Sequence, residues 1–221
     1  MSILVYANTD KGQIHKSALE ATSYAAQIAE KQNDTVVAVT SSNADNASEL
    51  GKYGATKVLQ MQSDSLQDFQ PHLIAKGLKQ IAENESASLI VFSHDLSGKS
   101  IAPMLSALMG AGIVTGAVAL PNLEDGFTVK KAVFSGKAFA NVKINTDKKI
   151  IGLMPNSMEK IINEKDVSVE NVNVDLESSR LKVIEQKFAS TDIPLTEAET
   201  VVSAGRGMKG PENWSMVEEL A

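Results

Sequence analysis

The sequence predicts an α/β fold: a mostly parallel sheet with helices on both faces and an antiparallel hairpin at one edge. Three observations predict it. Short β-branched runs alternate with amphipathic helical faces as far as Ala119, the pattern of βαβ units. After Pro121 the pattern changes to an alternating stretch broken by Ser135-Gly136. With 43% apolar and 22% charged residues, the 221-residue chain can bury a sizeable core in one or two domains.

The strands expected in the first part are Ile3 to Ala7, Thr35 to Thr40, Thr56 to Gln60, Ser88 to Phe92 and Ile113 to Val118. Between the first two, Ile14, Ala18, Ala21, Ala25 and Ile28 recur on one face of a helix, and their small side chains suit close packing on a sheet. Leu73, Ile74, Leu78, Ile81 and Ala82 mark a second helix. Pro71 stands at its first turn, where a missing N–H costs nothing. Ile101, Met104, Leu105, Leu108 and Met109 mark a third, closed by Gly110, and all five are expected in the core. FTVKKAVFSGKAFANVKIN reads as a hairpin, followed by an apolar strand at Lys149 to Leu153. Beyond Pro155 the chain is more polar, with one alternating run, VSVENVNVDL, and a second possible strand, RLKVIEQKF. The polar, proline-containing piece STDIPLTEAET reads as a linker, which divides the chain into domains at 1–189 and 190–221.

Composition excludes several chemistries. The net charge is -6 and the 21 Lys and Arg are scattered, so no basic stripe is expected for a nucleic-acid backbone. The absence of Cys removes disulfides, thiolate metal sites and cysteine nucleophiles, and suits a reducing compartment. The N-terminal MSILVYANTD lacks a basic n-region and a long apolar core, so it reads as the first strand of a cytoplasmic protein. No apolar run approaches the ~20 residues that span a bilayer. Histidines 15 and 72 are isolated and no His, Asp or Glu cluster has ligand spacing, so no metal is expected.

Three stretches carry polar groups of chemical interest. Ser93, His94 and Asp95 contain the residue types of a hydrolytic triad, but as sequence neighbours they cannot easily line up as nucleophile, base and orienter. No catalytic constellation is therefore expected. Gly98-Lys99-Ser100 resembles the end of a phosphate-binding loop, yet Ser93 stands where its first glycine belongs. A helix N-terminus there can still attract an anion, or the cluster simply starts a helix. The third stretch, VVSAGRGMKGPENW, reads as a strand (Thr200 to Ser203), a glycine turn and a helix start. Ser203, Gly205, Arg206 and Gly207 are candidates for holding an anionic or electron-rich ligand, the alternative being a turn that merely reverses the chain. Glycines admit close backbone approach or positive φ, and Arg206 adds a permanent cation where open α/β sheets bind ligands.

Val201, Val202, Ser203, Gly205, Arg206, Gly207, Glu212 and Asn213 resemble the signature that opens the flavin domain of the electron-transfer flavoprotein α subunit. Ala204 departs from the usual first glycine. The segments HKSALEATSYAAQIA, SGKSIAPMLSALMG and FSGKAFANVKI are similar to the family as well, so the resemblance runs over nearly the whole chain. It implies a nucleotide-hydrolase-like, Rossmann-like N-terminal domain and the start of an FAD-binding domain, with Arg206 set against the flavin ring. It further implies an electron carrier, not an enzyme in its own right, that pairs with a β subunit often carrying AMP. Electrons arrive from acyl-CoA dehydrogenases of fatty-acid β-oxidation, or from other flavoprotein dehydrogenases, and leave to a quinone-linked acceptor. In the family the flavin domain continues well past this signature. The chain is therefore expected to hold the N-terminal domain with the first strand, turn and helix of the second.

Two other readings stand beside it. A universal-stress-protein-like module shares the alternating strands and helices and would bind ATP or AMP near Asn8 to Gln13 and Ser93 to Ser100. A pure interaction domain would use the fold only to dock a β subunit.

Overall fold

The computed structural model describes residues 2–124, 126–179, 181–185, 195, 198 and 200–221. The chain forms two compact units, Met1–Lys182 and Val183–Ala221. The boundary expected at 189/190, and most of the linker around it, lie outside the described residues.

The first unit is a nine-stranded sheet between two helical layers. In chain order it runs β1 (Ser2–Tyr6), a two-residue pair β2 (Thr9–Asp10) and β3 (Gln13–Ile14), α1 (Lys16–Gln32), β4 (Thr35–Thr40) and β5 (Lys57–Gln62). Then come α2 (Pro71–Asn84), β6 (Ala87–Ser93), α3 (Leu96–Met109), β7 (Gly112–Ala117), β8 (Phe127–Val133), β9 (Ala138–Ile144), β10 (Lys149–Leu153) and β11 (Ser168–Asn173). The strand order is β11-β5-β4-β1-β6-β10-β7-β8-β9. Every pairing from β11 to β7 is parallel, and β8 and β9 close the far edge as an antiparallel hairpin.

Each helix has a readable cause. Alanines 18, 21, 25, 26 and 29 of α1 are buried with Ile28, so the helix lies close to the sheet. Asn33 ends it in the left-handed conformation (φ 55°), donating its N–H to the Ala29 carbonyl. Pro71 begins α2, and Gly110 ends α3 at φ 62°. α1 packs over one apolar face of the sheet with Ile3, Val5, Val36 and Val91, while α2 and α3 cover the other with Leu4, Val37, Ile90 and Ile150. Burying one such Leu or Ile stabilises the fold by about 1.5–3 kcal/mol.

Several details depart from the sequence reading. Lys149–Leu153 was expected only as a strand following the hairpin; it lies in the middle of the sheet, parallel to β6 on one side and β7 on the other. Met104 and Leu108 of α3 are exposed, because the buried stripe of that helix runs through Gly98, Ile101, Ala102 and Leu105 and leaves them at its margin. Leu181–Glu185 has no strand. Glu20 lies within the alanine face yet is buried (5% exposed), and its carboxylate accepts the backbone N–H groups of Asn156, Ser157 and Met158 at 2.9–3.0 Å. Ser23 adds two bonds to the backbone of Ile161, so α1 pins the chain leaving β10.

The second unit is small. Residues 201–205 are irregular, followed by 3-10 turns at Arg206–Met208 and Pro211–Asn213 and the helix α4 (Ser215–Leu220). The strand expected at Thr200 to Ser203 is not formed: alternation becomes a strand only against a neighbour, and none pairs with it among the described residues.

Candidate functional site

Two places carry the residues singled out from the sequence. The first is the carboxyl end of the parallel sheet, where β1 and β6 adjoin and the chain order reverses. Such switch points are the usual ligand crevices of open α/β sheets.

Here the polar groups are occupied by one another. Asp95 caps α3: its Oδ1 accepts the Gly98 N–H at 2.9 Å and its Oδ2 accepts the Ser17 hydroxyl at 3.1 Å. His15 Nδ1 lies 3.0 Å from the same Ser17 oxygen. Tyr6 reaches Ser41 at 3.0 Å, and burial pushes its phenol up to about 12. The small β2–β3 pair is tied down as well, with the Ile14 N–H on Asn46 Oδ1 at 2.8 Å and Thr9 beside Ser42 at 2.8 Å.

The phosphate-loop likeness resolves into packing. Gly98, Lys99 and Ser100 lie inside the first turns of α3, and a Cβ on Gly98 would collide with the Ser93 carbonyl oxygen. The glycine is there because helix and strand end touch. The anion that a helix N-terminus attracts is supplied by the chain's own Asp95, whose fixed carboxylate repels a phosphate. Ser93, His94 and Asp95 do not act as a unit. Ser93 is 5% exposed and its hydroxyl has no partner among the described residues, whereas Asp95 is engaged by Gly98 and Ser17. Burial lowers the His94 pKa, and Lys99 and Lys131 lower it further.

The second place is the turn around Arg206. Met208 N–H closes on the Gly205 carbonyl at 3.0 Å, Lys209 N–H on the Arg206 carbonyl at 3.1 Å, and Asn213 Nδ2 donates to the Met208 carbonyl at 2.9 Å. Backbone groups are thus satisfied locally while side chains remain outside. Ser203, Gly205, Arg206 and Gly207 are all exposed. Gly205 has φ -136°, and it is Lys209 that takes the positive φ, 66°. A Cβ on Gly205 or Gly207 would meet nothing within 4 Å. Neither their conformation nor packing among the described residues requires those glycines, and they present bare backbone beside a cation. A groove of about 420 Å³ runs along the turn, lined by Gly205, Arg206, Met208, Lys209, Gly210, Pro211 and Trp214. Asn213, which braces the turn, was quoted from the sequence only as part of the signature; an Asn soon after Gly-Pro is the signal of a side chain that bonds to backbone.

A family model described as the electron transfer flavoprotein domain matches residues 3–177. The chain belongs to the electron transfer flavoprotein family. It is 30% identical to the electron transfer flavoprotein subunit alpha of Bacillus subtilis, over 79% of this chain and 55% of that protein. It is 26% identical to the subunit alpha of Thermoanaerobacterium thermosaccharolyticum, over 99% of this chain and 69% of that protein. A further relative is subunit LctC of the Acetobacterium woodii lactate dehydrogenase (NAD+, ferredoxin), 26% identical over 99% of this chain and 54% of that one. The chain thus spans little more than half the length of some curated relatives. Electron transfer flavoprotein α-like character accords with the mostly parallel α/β sheet of the first unit, and no helix among the described residues is long and apolar enough to cross a membrane.

Proposed function

We propose that this chain is the α-subunit part of a two-subunit electron carrier, and that Ser203, Gly205, Arg206 and Gly207 form one wall of its FAD site. The observation that carries the reading is the exposed Arg206 on a turn whose Gly205 and Gly207 meet no packing among the described residues. A flavin bound there would supply reversible electron uptake. The turn fits such a group: bare backbone admits a flat ring closely, the groove wall of Met208, Pro211 and Trp214 is apolar, and Arg206 supplies fixed positive charge. A guanidinium there stabilises negative charge gained on reduction and raises the potential at which electrons are held.

In this reading the second domain starts at 190, and the β subunit, carrying AMP, completes the particle. Electrons come from acyl-CoA dehydrogenases of fatty-acid β-oxidation, or other flavoprotein dehydrogenases, and go to a quinone-linked acceptor in a bacterial cytoplasm. The lactate dehydrogenase named among the relatives supports keeping the donor class wide.

The test is an absorption spectrum of the protein purified together with its β subunit. A complex that shows no flavin bands after incubation with FAD would sink the proposal. Arg206→Ala is expected to weaken flavin retention by about 1.5–3 kcal/mol, the worth of a charge-assisted contact, and to lower the midpoint potential. Arg206→Lys should recover only part of both, because an ammonium lacks the planar fork.

A further inference from the structure

Along the Arg206 turn, Lys209 alone takes positive φ. Its φ is 66° and its ψ -48°, and the Gly210 N–H closes across it on the Met208 carbonyl at 2.8 Å. This is a γ-turn of the positive-φ form, which is rare and strained for a residue that carries a Cβ. Glycine would hold the position without strain. Glycines do stand nearby, but Gly205 and Gly210 are both extended, and the strained position between Met208 and Gly210 belongs to a lysine. Strain kept at an exposed, charged side chain points to a role for that side chain.

The groove supplies the role. Lys209 and Arg206 line the same groove of about 420 Å³. Both are exposed, and neither enters an ion pair among the described residues. The Glu212 carboxylate folds over Gly210 without pairing with Lys209. Two cations on one groove, in a chain whose net charge is -6, make a local positive field suited to an anion. Their chemistries differ. A guanidinium is a planar fork that lies flat on rings, whereas an ammonium is a compact point charge that takes phosphate oxygens from any direction. In FAD the oxidised ring is neutral and the standing negative charge belongs to the diphosphate.

We infer that Lys209 is a second anchor of the proposed flavin site, holding the diphosphate of the dinucleotide while Arg206 serves the ring. The inference rests on the flavin reading and adds to it a residue and a part of the ligand.

The test is a titration of the protein, purified with its β subunit and stripped of flavin, with FAD and with riboflavin, which lacks phosphate. Lys209→Met should weaken FAD binding roughly tenfold to a hundredfold, the worth of a charge-assisted bond. It should leave riboflavin within about twofold of the parent. Arg206→Ala should weaken both ligands, and Lys209→Arg should restore most of the FAD affinity. Lys209→Gly relieves the turn, so it should hold or raise the thermal midpoint of the flavin-free complex while weakening FAD as the Met variant does. That opposition of signs is what a merely structural lysine cannot produce, and the Gly variant serves should the Met variant misfold. Unchanged FAD affinity in both variants, or equal losses for FAD and riboflavin, would overturn the inference and leave the proposed function standing. A parent complex that takes up neither ligand overturns both.

Discussion

The turn that opens α3 and the turn around Arg206 are both glycine-bearing reversals with a basic residue nearby, yet their glycines answer different needs. At Gly98 the backbone of Ser93 leaves no room for a side chain, and the helix end is neutralised by Asp95 from within the chain. At Gly205 and Gly207 no described residue comes within 4 Å of where a Cβ would stand, and the cation Arg206 is exposed. A glycine crowded by its own chain is a packing residue. A glycine with nothing near it, beside an exposed charge, is available to something outside the chain.

The contrast breaks most visibly at Gly98. Gly98→Val should cost about 2–3 kcal/mol or more in urea unfolding, because the Ser93 carbonyl is backbone and yields only by moving strand or helix. A midpoint unchanged from the parent would mean that the close approach is not real. Asp95→Ala should cost about 1–2 kcal/mol through the lost cap and the lost Ser17 bond. Gly205→Ala with Gly207→Ala should shift the same midpoint by less than ~0.5 kcal/mol, while flavin retention by the complex falls. Equal stability losses at all three glycines would erase the distinction.

The smallest expected effect is on pH dependence. Burial, then Lys99 and Lys131, depress the folded pKa of His94. Below the ordinary histidine value of about 6.5 the unfolded chain takes a proton that the folded one refuses. The corresponding stability is therefore complete above that value and is lost as pH falls toward the lowered folded value. His94→Gln should flatten this part of the stability–pH curve; an identical slope in the variant would contradict the assignment.

Much of the fold was legible because it is local. The alanine face of α1, Pro71 at the start of α2 and Gly110 at the end of α3 each act within a turn or two of themselves. What was not legible is non-local. The apolar run Lys149–Leu153 says that a strand is buried on both faces, but not that it enters between β6 and β7. Glu20 looks like any helix carboxylate until residues 156–158 arrive on it. Thr200 to Ser203 has the alternation of a strand, but no strand among the described residues pairs with it. For the candidate site, the glycine-and-arginine pattern of the sequence proposes Arg206 and its glycines, but only the fold shows that Gly98 is crowded and that Gly205 and Gly207 are not crowded by any described residue.

The insertion of β10 between β6 and β7 has a consequence for synthesis. As the chain emerges from the ribosome, β6 and β7 are available well before residues 149–153, and each has an open edge where β10 belongs. Direct pairing of the two would give a sheet with the wrong neighbour, so the nascent chain must keep this slot vacant until the hairpin has been made and the next strand follows it. Edges left unpaired until that short apolar segment arrives are of the kind where chaperones bind and aggregates begin.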